Sequence, residues 1–104
     1  MAYEIFLARF EDPPEGEETL KVLRRLRKKV ARILPEDNPM YDLGEIEESS
    51  FVIQLPEGEA TAHADHIAFR LQELRSETIP IVYQLAVAGE MVIVNEGAGP
   101  HIIL

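Results

Sequence analysis

Glu59-Ala60-Thr61-Ala62-His63-Ala64-Asp65-His66-Ile67-Ala68-Phe69-Arg70-Leu71-Gln72-Glu73-Leu74-Arg75-Ser76 is the stretch on which the reading of the fold turns. Ala60, Ala64, Ile67, Leu71 and Leu74 recur at steps of four, three, four and three, which lines up a narrow apolar stripe along a helix. The spacing predicts a second helix over about 59–76, set off from what precedes it by Pro56-Glu57-Gly58. Just before that break, Phe51-Val52-Ile53-Gln54-Leu55 predicts a buried strand. Beyond the helix, Ile79 to Val87 and Met91 to Val94 are two β-rich runs joined by Ala88-Gly89-Glu90. They predict a hairpin, with Pro80 tolerated near the start of its strand.

Towards the N-terminus, Tyr3 to Phe10 is short, aromatic and aliphatic and predicts a strand. Glu11-Asp12-Pro13-Pro14-Glu15-Gly16 breaks it. A helix is expected from about Glu17 to Leu34, with Leu20, Leu23, Leu26, Val30 and Ile33 as its apolar stripe and Pro35 as its stop. Tyr41 to Ser50 reads as a short acidic edge strand with a bulge at Gly44 and a turn at Ser49-Ser50. After Val94, residues 95–100 read as loop and His101-Ile102-Ile103-Leu104 as a last short strand. The expected order is β-α-β-β-α-β-β in a single domain, 1–104. It predicts a two-layer α/β sandwich of ferredoxin-like order, with two helices on one face of a single mixed or antiparallel sheet. Right-handed crossovers would put strands 3–10 and 51–55 near its centre.

Ten Lys plus Arg against nineteen Asp plus Glu leave a formal charge of −9, which argues against general affinity for nucleic acid or an anionic membrane and favours basic partners. The absence of cysteine removes disulfides, thiolate metal sites and thiol nucleophiles, and permits a reducing compartment. Met1-Ala2-Tyr3-Glu4 lacks the basic start of a secretory leader, and the longest uncharged run, Thr78 to Gly89, is too short to span a bilayer. A soluble cytoplasmic protein is the expectation.

Three groups of side chains could carry function. The acids Glu36, Asp37, Asp42, Glu45, Glu47 and Glu48, interleaved with Met40 and Tyr41, can steer a basic protein and then supply contact area. Tyr41, Asp42, Glu45, Glu47 and Glu48 are the expected partner-binding residues; the same acids could instead guard a sheet edge against self-association. The first helix holds Lys21, Arg24, Arg25, Arg27, Lys28, Lys29 and Arg32, seven of ten basic residues. With Glu17 and Glu18 it carries +5, leaving −14 elsewhere. Such a helix is either a solvated face or a site for phosphate or an acidic partner. His63 and His66 would share a helix face with Glu59, Arg70 and Glu73, but two imidazoles fall short of the usual three protein ligands of a catalytic zinc, and Arg70 opposes a dication. A polar face is the simpler reading, so no metal, cofactor or catalytic residue is expected. Neither a phosphate-binding glycine loop nor a serine nucleophile elbow occurs.

Ala2-Tyr3-Glu4-Ile5-Phe6-Leu7-Ala8-Arg9-Phe10, followed by its acidic turn, resembles the first strand of small acidic bacterial proteins, some of them immunity proteins of toxin systems. The resemblance implies a non-enzymatic inhibitor that occludes one basic toxin, and carries over no catalytic residue. The basic first helix departs from a uniformly acidic inhibitor. Two other classes stand beside it: a nucleic-acid or phospholigand-binding regulator working through that helix, and a metal-dependent enzyme using His63 and His66.

Overall fold

The computed structural model describes residues 3–9 and 19–94, which run β1 (Tyr3–Arg9), α1 (Thr19–Ile33), β2 (Asp42–Leu43), β3 (Phe51–Leu55), β4 (Gly58–Ala62), β5 (His66–Leu71), α2 (Thr78–Ala88) and β6 (Met91–Val94). The six strands form one sheet in the order β2-β3-β4-β5-β1-β6, with every neighbour antiparallel. This is an α+β fold compatible with a two-layer sandwich.

Alternation places the core. Ile5 and Leu7 of β1, Ile67, Phe69 and Leu71 of β5, Ala60 and Ala62 of β4, and Phe51, Ile53 and Leu55 of β3 are all buried and fall on one face by register. They join Leu23, Leu26 and Val30 of α1 and Ile81, Val82 and Leu85 of α2 in a single hydrophobic cluster. Burying each large side chain contributes about 1.5–3 kcal/mol relative to exposure, so this shared face is what holds the layers together. On the opposite face Phe6, Ala68, Thr61 and Val52 form one row across four strands, and Glu4, Arg70, Glu59 and Gln54 form the next.

The expected helix over 59–76 is instead the hairpin β4–β5. Its residues satisfy both periods, because Ala60, Ala64, Ile67, Leu71 and Leu74 are helically spaced while Ala60/Ala62 and Ile67/Phe69/Leu71 alternate. Alternation prevails because strands on both flanks, β3 and β1, complete the backbone hydrogen bonding and because it buries Phe69, which the helical stripe leaves out. Gly58 permits the close approach: a Cβ there would lie 2.2 Å from the Arg70 carbonyl oxygen.

The reverse exchange occurs at residues 78–88, where an expected strand is α2. Thr78, Ile81, Val82, Leu85 and Ala86 are buried at helical spacing, and Pro80 lies in the first turn, where no intrahelical donor is needed. Gly89 caps the helix through its N–H to Leu85 O at 2.9 Å. The order is therefore β-α-β-β-β-β-α-β, and the ferredoxin-like order is not observed. The expected centre at strands 3–10 and 51–55 is displaced because the hairpin β4–β5 inserts between them, so β4 and β5 occupy the middle of the sheet while β1 and β3 lie one strand in from the edges. The first strand, first helix and residues 51–55 follow their expectations; the turn at 11–16, Glu17 and Glu18, the loop at 95–100 and the strand at 101–104 lie outside the described residues.

Candidate protein-binding surface

The expected acidic site lies where the expected edge lies. After α1 the Leu34 N–H still donates to Val30 O at 3.1 Å, and Pro35 then ends the helix. Asn38 turns the chain: its Oδ1 accepts the Met40 N–H at 3.0 Å and its carbonyl accepts the Tyr41 N–H at 3.1 Å. Two residues, Asp42 and Leu43, then pair with Gln54 and Ile53, and β2 has no second neighbour among the described residues. The Gly44 N–H donates to Val52 O at 2.8 Å, and Glu47 and Ser50 exchange both backbone bonds at 2.9 and 3.1 Å. Between these pairings the outer arm carries one extra residue at Glu45-Ile46, so the irregularity follows Gly44, the expected position, which keeps its regular pairing with Val52. Glu48 and Ser49 make the turn, with Glu48 at φ 55.

One cation from α1 fixes this segment. Arg27 donates from Nε to Gly44 O at 2.8 Å and from Nη2 to Leu43 O at 3.4 Å, and its Nη2 lies 3.6 Å from Glu45 Oε1. The Glu45 carboxylate is exposed, so that ion pair adds little; the two carbonyl bonds are the structural link.

Asp42, Glu45, Glu47 and Glu48 are exposed, as are Glu36 and Asp37. Tyr41 differs from them. Its ring is half-buried and packs against the core, and its hydroxyl pKa is raised, first by burial and then by the Glu57 and Glu77 carboxylates. Met40, 55% exposed, is the open apolar side chain of the segment. Behind Tyr41 lies a residue that the sequence does not single out. Glu57 is 3% exposed and its Oε2 has no hydrogen-bond partner, although a glutamate between proline and glycine reads as an ordinary solvated turn.

The histidines are not on a helix. His63 and His66 close the β4–β5 hairpin, where the His63 N–H donates to His66 O at 2.8 Å. Their rings stack at 4.1 Å, Phe6 stacks on His66 at 5.2 Å, and Asp65 Oδ1 lies 2.7 Å from His66 Nδ1. The hydrogen bond to His66 lowers the Asp65 pKa, and partial burial, followed by the neighbouring His66, lowers that of His63. The five residues expected on one helix face fall into separate groups: His63 stays with His66, Glu59 and Arg70 face each other across β4 and β5, and Glu73 pairs with Arg75 at 2.7 Å. Among the described residues no group of three or more His, Cys, Asp and Glu could hold a metal ion.

α1 holds all seven of its expected cations and no acid. Lys21, Arg24, Arg25, Lys28, Lys29 and Arg32 are exposed, and Arg27 turns inward to the acidic segment. No helix among the described residues is long and apolar enough to cross a membrane. Comparison of the chain with family models, curated proteins and solved structures finds no match.

Proposed function

We propose that this chain is a protein-binding module whose acidic edge, residues 36–48, receives a basic protein partner. The supporting observation is a row of exposed carboxylates, Asp42, Glu45, Glu47 and Glu48, carried on backbone that Arg27, Asn38 and the Glu47–Ser50 turn already hold in one shape. Solvated acids alone would only confer solubility. Acids on an ordered edge present a fixed charge pattern, so less ordering entropy is lost when a partner arrives. Their field accelerates encounter, and Met40 with the outer side of Tyr41 offers apolar contact once the surfaces meet. Binding by occlusion needs no reacting group, and a basic toxin is the partner class that the likeness of residues 2–10 to immunity proteins suggests.

The test is affinity capture from the native cell with wild-type protein and with Glu47→Lys/Glu48→Lys as paired baits. A basic protein retained by the wild type and lost by the double variant is the expected result. Retention of the same proteins by both baits would remove the acidic edge from the interface.

A further inference from the structure

We infer that the groove between α1 and α2 is a second docking surface, which takes an acidic amphipathic segment of a protein partner. The observations are separate from those behind the acidic edge. α2, Thr-Ile-Pro-Ile-Val-Tyr-Gln-Leu-Ala-Val-Ala, contains no charged residue. Ile81, Val82, Leu85 and Ala86 face the core, which accounts for one side of the helix only. On the other side Tyr83 is 42% and Val87 79% exposed; at positions i and i+4 they share one face. With Ile33 and Ala88 they line a groove of about 430 Å³ between the helices.

Lys29 and Arg32 of α1 also line it. Lys29 Nζ lies 3.5 Å from Ala88 O, which holds its charge at the C-terminal end of α2, where the helix dipole favours a cation. A solvated helical surface ordinarily intersperses apolar and oppositely charged side chains. Here the lining is apolar apart from Gln84 and the cations Lys29 and Arg32, and neither helix carries an acid. That is the complement of a helix or turn bearing aliphatic or aromatic residues one turn apart with Asp or Glu beside them. Charge favours a protein segment over a bilayer: a molecule of net −9 with exposed acids elsewhere is repelled from an anionic membrane at long range.

The experiment is selection of a 12-residue phage-displayed peptide library on the full chain, followed by affinity measurements with the enriched peptides. Enriched sequences should combine apolar residues with Asp or Glu. Their affinity should fall at least tenfold on Lys29→Glu/Arg32→Glu and on Val87→Asp, and stay unchanged on Glu47→Gln/Glu48→Gln. Circular dichroism checks that each variant is folded, and the milder Val87→Ala should weaken binding in the same direction. The inference is overturned by an absence of enrichment, by peptides without an acidic bias, or by binding indifferent to the groove substitutions. Sedimentation with phosphatidylglycerol vesicles that is lost on Lys29→Glu/Arg32→Glu would assign the groove to lipid. A concentration-dependent dimer lost on Val87→Asp would assign it to a second copy, and either result overturns the proposed occupant.

Discussion

The acidic edge and the cationic helix carry opposite charges over stretches of similar length, yet their charges are mounted in different ways. In residues 36–48 the order lies in the backbone: an Asn38 turn, a two-residue strand, a bulge and a tight turn fix where each carboxylate starts, and the side chains are short. In α1 the backbone is an ordinary helix, and the exposed cations ride on long flexible stems. The first arrangement suits recognition of one charge pattern, and the second suits adaptable contact. Arg27 links them, since it is the α1 cation that gives up solvent to hold Leu43 and Gly44.

Breaking the sheet beneath the edge should have the largest effect. Gly58→Ala drives a Cβ to 2.2 Å from the Arg70 carbonyl, so β4 must shift from β5, at a cost on the order of 3 kcal/mol. Urea denaturation should show this as a lower midpoint, and an unchanged midpoint would mean that the strands are not in this register. Tyr41→Ala comes next, because it removes a ring packed on the core beneath the exposed acids. Its half-buried position predicts a loss of about 2 kcal/mol in the same assay, together with weaker partner binding. Arg27→Ala separates the two regions. Two side-chain bonds to backbone carbonyls disappear, costing about 1–2 kcal/mol, and amide exchange should quicken at residues 43–47 while α1 keeps its protection.

A smaller effect is expected from pH, at the turn between β4 and β5. The Asp65 pKa is depressed by its bond to His66, so its contribution to stability is complete above the unfolded carboxylate value near 4. It is lost as pH falls through the folded value. The His63 pKa is lowered by burial, so the folded state resists protonation there, and stability also declines as pH drops below about 6.5. Both signs point the same way. Asp65→Asn should flatten the stability profile below about pH 4, and His63→Ala should flatten it below about pH 6.5. A profile that rises on acidification in this window would contradict both assignments.

Much of this is legible in the sequence, and what is not has an identifiable cause. β1 and β3 are short apolar runs closed by turn residues, and α1 has a single unambiguous period, so only one packing buries them. The acidic edge is readable for a related reason, since six acids within thirteen residues cannot be buried. Residues 58–71 fit two periods at once, and the choice between them rests on strands that lie 7 and 60 residues away in the chain, as the pairings Ile53↔Ala60 and Leu7↔Ile67 illustrate. α2 is apolar on nearly every side, so it shows little amphipathic contrast and resembles a buried strand. That misreading also conceals the groove, which exists only once residues 78–88 are helical. The burial of Glu57 comes with the tertiary fold, which sets it near Tyr41, and has no local signal at Pro56-Glu57-Gly58.

The central claim is that the exposed acids of the ordered edge guide a basic partner onto it. It is tested most directly by the association rate of the captured partner with wild-type protein and with Glu47→Gln/Glu48→Gln, measured at about 20 mM and 150 mM salt. The wild-type rate should fall steeply between the two salt concentrations. The double variant should associate several-fold more slowly at low salt and show a flatter salt dependence, with the dissociation rate nearly unchanged. Equal association rates for the two proteins at both salt concentrations would contradict the account.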